Sequence, residues 1–418
     1  MTEQEAVSLI HQRAWTGQPP GLARTRALLD RLGTPQTGMK FVHIAGSNGK
    51  GSTAAMLSGI LTRAGLRTGL YTSPHLWDFR ERFQVDGQPI PGEALAELTA
   101  QVLSAAREET EFELMTAIAM LWFRREGCEL VVLETGLGGR LDSTNVIPPP
   151  EAAVLTTIGL EHTQQLGDTL PQIAREKAGI LKPGSRAVLC RQDPAVMAVV
   201  EEVCRDGGIP LTCTAPETLE VLSSGLEGTA FTYRGRGPYR LSLLGEHQLQ
   251  NAAAVLDAVQ VLRARGWPIP EQAVQAGLAE ARWPGRLELV RRAPDLLLDG
   301  AHNPPCTAAL AQSLAALYPG KTFWFLTGVL EDKDYPSMAE SLLPLARGFV
   351  TVTPDSPRAL PARDLAAHLQ RRGAQAVSAP SPQAGLEAVL ARSGPETPVC
   401  AWGSLYLIGA LRHLLGLC

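Results

Sequence analysis

The chain has 418 residues, of which 45% are hydrophobic and 19% charged, and its formal net charge at pH 7 is -4. Such a length predicts two or three domains, and the near-neutral charge argues against broad nucleic-acid binding and favours a small-molecule enzyme. Seven scattered cysteines without any Cys-x-x-Cys pair suggest neither a zinc site nor a disulfide framework.

The first clear structural signal is a strand, a glycine-rich loop and a helix. The apolar run from Phe41 to Ala45 predicts a buried strand, and Thr53 to Leu61 predicts a helix. Between them, glycines allow backbone N–H groups to close around an anion at the helix N-terminus. Lys50 can then reach terminal phosphates, and Ser52 or Thr53 can offer a hydroxyl to Mg²⁺.

This loop departs from the common phosphate-loop pattern at two positions. Ile44 stands where the pattern has its first glycine, and Gly51 separates Lys50 from Ser52. A tight strand-to-helix turn with an exposed lysine is the alternative interpretation. The flanking strand and helix favour phosphate binding, so we expect the chain to use a nucleoside triphosphate.

Strand-like and helix-like segments then alternate, which is typical of a mostly parallel α/β sheet with a ligand crevice at the carboxyl ends of its strands. Predicted strands are Leu130 to Glu134, Ala152 to Ile158 and Ala187 to Cys190, and predicted helices are Gly92 to Arg107, Asp168 to Leu181 and Gln248 to Arg265. The segment from Leu219 to Leu244 is rich in Gly, Thr and Tyr and suggests an antiparallel excursion.

A second strand and helix series begins after a Pro-Gly hinge at Trp283 to Glu288. Its predicted strands are Leu296 to Asp299, Thr322 to Thr327, Phe349 to Val352 and Val399 to Trp402, with helices from about Thr307 to Leu317 and Tyr335 to Ala346. We therefore predict a phosphate-loop-type, mostly parallel α/β domain over residues 1–285. A smaller Rossmann-like α/β domain over 286–418 follows, without the Gly-x-Gly-x-x-Gly of dinucleotide binders.

Two polar residues follow buried strands of the first series. Glu134 ends one strand, where phosphate-bound Mg²⁺ often finds a protein ligand, and His162 lies just beyond another. A solvated carboxylate and a surface histidine are the simpler interpretations. Because both lie at carboxyl ends of strands, we expect them to meet in one crevice.

Lys177 falls on the apolar stripe of the predicted helix from Asp168 to Leu181. A buried ammonium is costly unless it is paired or neutralised. Snorkelling, or a salt bridge to Glu134 or Glu161, would explain it. A third explanation is reaction of the neutral amine with CO₂ to a carbamate, which is a carboxylate-like metal ligand.

Two further segments hold polar residues at predicted strand ends, and each is also compatible with an ordinary solvated turn. Ser73 and His75 follow the strand-like run from Thr68 to Thr72, with Arg80 to Arg82 nearby. Asp299 and His302 lie at a strand-to-loop junction of the second series.

Taken together and in this order, the motifs resemble the folylpolyglutamate synthase/dihydrofolate synthase family of the Mur ligase superfamily, in its bifunctional bacterial form. They are Gly46-Ser-Asn-Gly-Lys-Gly-Ser52, Thr72-Ser-Pro-His75, Glu134-Thr-Gly-Leu-Gly-Gly-Arg-Leu-Asp-Ser-Thr-Asn145, Glu161-His162, Glu176-Lys-Ala-Gly179, Pro284-Gly-Arg286 and Asp299-Gly-Ala-His-Asn-Pro304. The resemblance extends from about Leu28 to Leu407.

The resemblance implies a two-domain ligase in which ATP phosphorylates a substrate carboxylate and the amine of L-glutamate attacks the acyl phosphate. The implied ATP-binding residues are Gly49, Lys50, Gly51, Ser52, Asn251, Arg286 and Asp299. It implies one Mg²⁺ at Ser73 and Glu134, and a second at His162 with Glu134 and a carbamylated Lys177.

The implied positions for the dihydropteroate or folate substrate are Thr110, Glu111, Phe112, Glu113, Leu141, Asp142 and Ser143. His302 and Ser404 are the candidates for placing the incoming glutamate. Ser47 replaces the threonine usual in the family's loop, and Glu161 replaces the aspartate usual before the histidine.

Two other functions stay open at this point: a Mur-type ligase acting on a cell-wall precursor, and a non-catalytic ATP-binding protein. The intact set of Lys50, Glu134, His162 and Lys177 argues against the second. The motifs do not decide between dihydrofolate synthesis, folate extension or both. Because no signal peptide or membrane-spanning run is evident, we expect a cytoplasmic, monomeric enzyme without nucleic-acid or membrane partners.

Overall fold

The computed structural model describes residues 1–13 and 21–418, and its largest element is an eight-stranded sheet. Its strands are β1 (Phe41–Ala45), β2 (Thr68–Tyr71), β3 (Phe83–Val85), β4 (Gln88–Pro89), β5 (Leu130–Glu134), β6 (Ala152–Leu155), β7 (Ala187–Leu189) and β8 (Leu211–Cys213). The strand order is β4-β3-β2-β5-β1-β6-β7-β8. All neighbours from β2 to β8 along this order pair in parallel, so their carboxyl ends share one edge.

Two smaller sheets follow within the described residues. The first is antiparallel, with β9 (Leu219–Gly225), β10 (Gly228–Tyr233) and β11 (Arg236–Leu241). The second contains β12 (Glu288–Arg291), β13 (Leu296–Leu298), β14 (Phe323–Thr327), β15 (Ala346–Thr351), β16 (Ala376–Ser378) and β17 (Val399–Trp402). Its order is β12-β13-β17-β14-β15-β16, parallel except for the edge strand β12.

Fifteen α-helices of the described residues connect or cover these strands, and none is long and apolar enough to cross a membrane. They are α1 (Glu3–His11), α2 (Ala23–Arg31), α3 (Lys50–Arg63), α4 (Gly92–Ala105), α5 (Glu111–Arg125), α6 (Thr163–Leu166), α7 (Leu170–Ala178), α8 (Pro194–Asp206), α9 (Glu246–Arg263), α10 (Glu271–Ala279), α11 (Pro304–Leu317), α12 (Tyr335–Leu342), α13 (Ala362–Arg371), α14 (Pro382–Ser393) and α15 (Leu405–Leu414).

The eight-stranded sheet is covered on both faces, as expected for parallel strands. Val42 and Ile44 of β1 belong to the core formed with α3, α9 and α10, whereas Phe41 belongs to the core formed with α1, α2, α4 and α5. Because successive side chains of a strand point to opposite faces of the sheet, β1 contributes residues to two hydrophobic cores. The third sheet likewise separates two cores, with Leu297 in one and Leu296 in the other.

The predicted α/β class, with a large parallel-rich sheet followed by a smaller α/β sheet, is confirmed, and so is the antiparallel excursion. The helix after the phosphate loop begins at Lys50 rather than Thr53, because Thr53 N donates to Gly49 O and the loop winds into the first turn. The helix predicted from Tyr335 to Ala346 ends at Leu342. A 3₁₀ turn containing Pro344 replaces its last residues, since proline cannot continue the helical hydrogen bonds.

Candidate active site

A cleft of about 460 Å³ lies between the carboxyl edge of the large sheet and the segment after β13. Eleven of the residues predicted to bind ATP, metal or glutamate line it: Gly49, Lys50, Gly51, Ser52, Ser73, Glu134, His162, Asn251, Arg286, Asp299 and His302. They come from the loops after β1, β2, β6 and β13, the end of β5, the start of α3, helix α9 and the segment before β12. The fold thus brings Gly49 and His302, which are 253 positions apart in the chain, into one site.

The two glycines around Lys50 are required by close neighbours. Gly49 has φ of 86°, in the left-handed region, and a Cβ there would lie 2.3 Å from Asn251 Oδ1. A Cβ on Gly51 would lie 2.6 Å from Cζ2 of Trp283. Gly51, one of the two departures from the common phosphate-loop pattern, is therefore the residue against which the Trp283 ring packs.

The ammonium of Lys50 bends back onto its own loop. Its Nζ donates to Gly46 O at 3.0 Å and to Ser47 O at 3.3 Å. In the same loop, Ser52 Oγ accepts from Gln248 Nε2 at 3.3 Å. Lys50 has no carboxylate within ion-pair distance among the described residues, so its charge is available to an anion in the cleft.

Glu134 is 4% exposed at the end of β5, where Ser73 N donates to its Oε2 at 3.1 Å. Burial raises the pKa of Glu134, although the charges of Lys50, Arg286 and Arg82 oppose that rise. No basic side chain of the described chain pairs with it at ion-pair distance. A buried carboxylate in a cleft that Ser73 also lines offers oxygen donors suited to Mg²⁺, whose charge would favour the ionised form.

Lys177 is 2% exposed, which confirms the predicted burial. Its Nζ donates to Glu161 Oε1 at 2.7 Å and to Gly46 O at 2.9 Å. Burial, only partly offset by Glu161, lowers its pKa to about 8. Of the explanations open from sequence, the salt bridge to Glu161 is the one observed in this unmodified chain. Gly46 O accepts from both Lys177 and Lys50, so the two lysines flank one carbonyl.

His162 begins the short helix α6 with φ of 46°, a left-handed conformation that is uncommon outside glycine. Burial lowers its pKa, so the imidazole is neutral near pH 7 and can offer a nitrogen lone pair to a metal. Within the described residues, no three His, Cys, Asp or Glu side chains lie together as a metal site. Any metal here must also use other oxygen donors, such as hydroxyls or phosphates.

The opposite wall of the cleft comes from the segment after β13. Asp299 Oδ2 accepts from Leu287 N at 2.7 Å and its Oδ1 from Ala301 N at 2.8 Å, which ties the hinge to this strand end. His302 Nδ1 lies 2.7 Å from Gly300 O. Because a carbonyl only accepts, Nδ1 holds the proton, and burial lowers the pKa of His302 to about 4. Its Nε2 is therefore an acceptor.

The residues predicted to hold the folate substrate do not line this cleft. Thr110 and Glu113 form the capping box of α5, and Glu113 also pairs with Arg24 at 3.1 Å. Glu111 contacts His11 Nδ1 at 3.0 Å. Phe112 lies against Gly136, where a Cβ would be 2.4 Å from the ring, and Gly136 itself lines the cleft.

The second folate segment is similarly bonded. Asp142 accepts from Gly136 N at 2.9 Å and from Leu137 N at 2.8 Å, and Ser143 Oγ lies 2.7 Å from Thr116 Oγ1. Its neighbour Leu141 is partly buried. Together these bonds shape the loop between β5 and the cleft.

Two predicted residues outside the cleft, and the cleft residues that were not predicted, complete the description. Lys177 lies behind the cleft wall, and Ser404 is the N-cap of α15, accepting from Leu407 N at 3.2 Å. Cleft residues that the sequence did not single out are Asn48, His247, Gln248, Trp283 and Cys306, whereas His75, which it did, also lines the cleft. Trp283 and Asn48 were inside motifs already noted, so adjacency to those motifs was the available signal.

Comparison with known proteins agrees with this geometry. Residues 44–259 match the Mur ligase middle domain, and residues 285–405 match the Mur ligase glutamate ligase domain. The two matches together place the chain among the Mur ligases.

More specific relatives cover the whole chain. Dihydrofolate synthase/folylpolyglutamate synthase of Bacillus subtilis is 35% identical over 429 residues, 99% of each chain. The protein of that name from Mycobacterium tuberculosis is 38% identical, over 86% of this chain and 79% of its own. The chain therefore belongs to the dihydrofolate synthase/folylpolyglutamate synthase family, as its motifs indicated.

Solved structures support the same assignment. E. coli FolC in complex with DHPP and ADP superposes with a TM-score of 0.89 at 29% identity, covering 100% of this chain and 98% of the other. Mycobacterium tuberculosis folylpolyglutamate synthase complexed with ADP gives 0.88 at 33% identity, covering 99% of this chain and 98% of the other.

Proposed function

We propose that this protein is an ATP-dependent ligase that joins L-glutamate to dihydropteroate and to reduced folates. The observation that carries the proposal is the single cleft in which the phosphate loop faces Arg286 and His302. The family's relatives are named for both activities, and two superposed structures contain ADP. Activation by ATP turns a carboxylate into an acyl phosphate, which an amine can attack.

At the phosphate loop, Lys50, Gly49, Gly51 and Ser52 hold the ATP phosphates. Lys50 exchanges its two loop carbonyls for phosphoryl oxygens, where its charge offsets the charge that spreads over the transferring group. Asn251 and Arg286 fix the rest of the nucleotide from the two walls of the cleft. Asp299 contributes by holding the hinge at Leu287 against the site.

Magnesium fits the donors present. Ser73 and Glu134 would hold one Mg²⁺, and His162, Glu134 and Lys177 a second. When bound, the ions supply charge neutralisation and orientation to the phosphates. The chain's part is to keep Glu134 ionised and aligned, through Ser73 N and the nearby charges of Lys50 and Arg286.

We further propose that Lys177 is carbamylated in the working enzyme. Its pKa of about 8 leaves a useful fraction of neutral amine at mildly alkaline pH. The amine nitrogen adds to the carbon of CO₂ and loses one proton to water, which gives a carbamate anion. That anion would face Glu161, so the pair is stable only with a cation nearby, which the proposed second Mg²⁺ supplies.

The amine step is assigned to the opposite wall. His302 Nε2 accepts a hydrogen bond from the glutamate amine and directs it at the acyl phosphate, while Ser404 shapes the adjoining helix start. The loops at Thr110–Glu113 and Leu141–Ser143 are proposed to bind the pteroate portion through their shape and backbone groups. Because both walls come from one chain, the enzyme is proposed to act as a monomer in the cytoplasm, where ATP and folates are available.

Product analysis tests this function. Purified protein is incubated with ATP, Mg²⁺ and L-glutamate, together with dihydropteroate, tetrahydrofolate or a nucleotide-linked cell-wall precursor. We expect dihydrofolate and tetrahydrofolate diglutamate, each with one ADP per amide bond, and no product from the third acceptor. Extension of tetrahydrofolate alone would limit the chain to polyglutamate synthesis, and ligation to the cell-wall precursor would refute the proposal.

A further inference from the structure

Asn48 of the phosphate loop connects the two walls of the cleft. Its backbone N–H and that of Ser47 donate to Thr157 O, at 3.2 Å and 2.8 Å, which holds the loop to the end of β6. Its side-chain Oδ1 instead accepts from Asn303 Nδ2 at 3.3 Å and lies 3.1 Å from Cys306 Sγ. One residue therefore bonds to the large sheet through its backbone and to the start of α11 through its side chain.

We call the contacts of the Asn48 side chain with Asn303 and Cys306 the bridge, and its orientation follows from helix capping. Asn303 is the N-cap of α11, and its Oδ1 accepts from Cys306 N at 2.9 Å. With the oxygen used in the cap, the amide nitrogen must point away from the helix, toward Asn48. Burial raises the pKa of Cys306 to about 11, so its thiol keeps its proton and acts as a second donor.

The chain positions of these residues give the bridge its significance. Asn48 stands two residues before Lys50, and Asn303 directly follows His302. The bridge therefore links a residue of the phosphate loop to the residue next to His302. The bridge is also inside the cleft, where Asn48 and Cys306 are both lining residues.

We propose that Asn303 is a positioning residue that acts through Asn48. Its hydrogen bond attaches α11 to the phosphate loop, so that phosphoryl transfer proceeds only when the wall of the cleft that binds the glutamate amine is in place. Without that coupling, the acyl phosphate forms in an open cleft. Water then attacks its phosphorus or carbonyl carbon, returning the carboxylate and inorganic phosphate, and ATP is consumed without an amide bond. This inference rests on the proposed ligase function.

The test measures ADP released per amide bond in the full-length enzyme. Asn303→Asp and Asn303→Ser both keep an oxygen to cap α11 but remove the amide donor to Asn48. We expect this ratio to rise roughly three- to tenfold, the effect of losing one hydrogen bond, with the melting temperature unchanged. Cys306→Ala should give a smaller rise. Asp193→Ser is the matched control, because Asp193 is also an N-cap followed by proline but lies on α8, away from the cleft.

A double-variant comparison separates coupling from a purely structural effect. In an Asn48→Ala background, Asn303→Ser should cause no further rise in the ratio, because the partner through which it acts is absent. A ratio that stays near one in both Asn303 variants, or an equal rise with and without Asn48, would overturn the inference. If the unmodified protein forms no amide at all, the ligase function fails instead, so the two failures are distinguishable.

Discussion

The cleft residues and the two proposed folate segments differ in how their side chains are bonded within the protein. In the cleft, Lys50 donates only to carbonyls of its own loop, and Glu134 accepts a single backbone N–H. In the folate segments, Glu113 and Asp142 are engaged in caps, ion pairs and backbone bonds. The Lys50 side chain can therefore be removed without loss of the fold, whereas in the folate segments substrate binding and stability are tied together.

The largest effect is expected at Lys50. Lys50→Ala should lower ligation by at least about 10³-fold, because the charge on the transferring phosphoryl group is no longer offset. Its melting temperature should match that of the unmodified protein, since the lost bonds are to loop carbonyls. Parallel measurements of circular dichroism and amide formation check both parts, with the exposed Lys321→Ala as control. Near-normal turnover would contradict the phosphate-loop assignment.

Lys177 is intermediate between the cleft residues and the folate segments, because it is buried and hydrogen-bonded but is also proposed to be a metal ligand. Lys177→Ala should lower kcat/KM about 100-fold and lower stability much less, and short carboxylic acids should restore part of the activity. Lys177→Arg should not restore it, since arginine cannot supply a carboxylate. After incubation with ¹³C-bicarbonate, a carbamate carbon signal should be present in the unmodified protein and absent in Lys177→Arg. A fully active Lys177→Arg enzyme would exclude the carbamate.

Asp142 tests the other side of the comparison. Asp142→Ala leaves Gly136 N and Leu137 N without their acceptor, so we expect about 2–3 kcal/mol of destabilisation and a raised KM for dihydropteroate. Asp193→Ala removes an exposed N-cap and should cost about 1 kcal/mol without changing KM. Denaturant unfolding and steady-state kinetics measure the two effects. A change in KM with no loss of stability would break the proposed link between them.

The smallest expected effect is a pH dependence of stability that comes from His43, beside the second folate segment. His43 is fully buried beneath the folate loop, with Nε2 2.8 Å from Thr144 Oγ1, and burial with the charge of Lys182 lowers its pKa to about 3. The unfolded chain therefore protonates His43 at a higher pH than the folded chain does. The corresponding stability is fully present above pH 6.5 and is lost as the pH falls toward 3.

Between pH 7 and pH 5, His43 alone should account for a loss of about 2 kcal/mol in the free energy of unfolding. His43→Gln should lose correspondingly less over that interval, and the exposed His413→Gln should behave like the unmodified protein. Urea unfolding at the two pH values measures this. Equal losses in all three proteins would show that His43 does not titrate as its burial requires.

Much of the fold was predictable because its signals are local. The bounds of β1, β5 and β17 agree with the apolar runs that predicted them, and a second series of strands begins at Glu288, after Pro284. The predictions were wrong at helix ends, where a neighbouring residue sets the bound of the helix. Pro344 shortens α12, and Thr53 N bonding to Gly49 O lengthens α3 at its start.

The sequence by itself determined the α/β class, the phosphate loop and the burial of Lys177, because glycine placement and apolar periodicity act over a few residues. Only the tertiary structure decided which acid pairs with Lys177, why Gly51 must be glycine, and that Asn48 reaches Asn303. Glu161, Trp283 and Asn303 come from distant parts of the chain. Their contacts depend on how the strand ends and domains pack, and side-chain distances of about 3 Å leave no trace in local sequence.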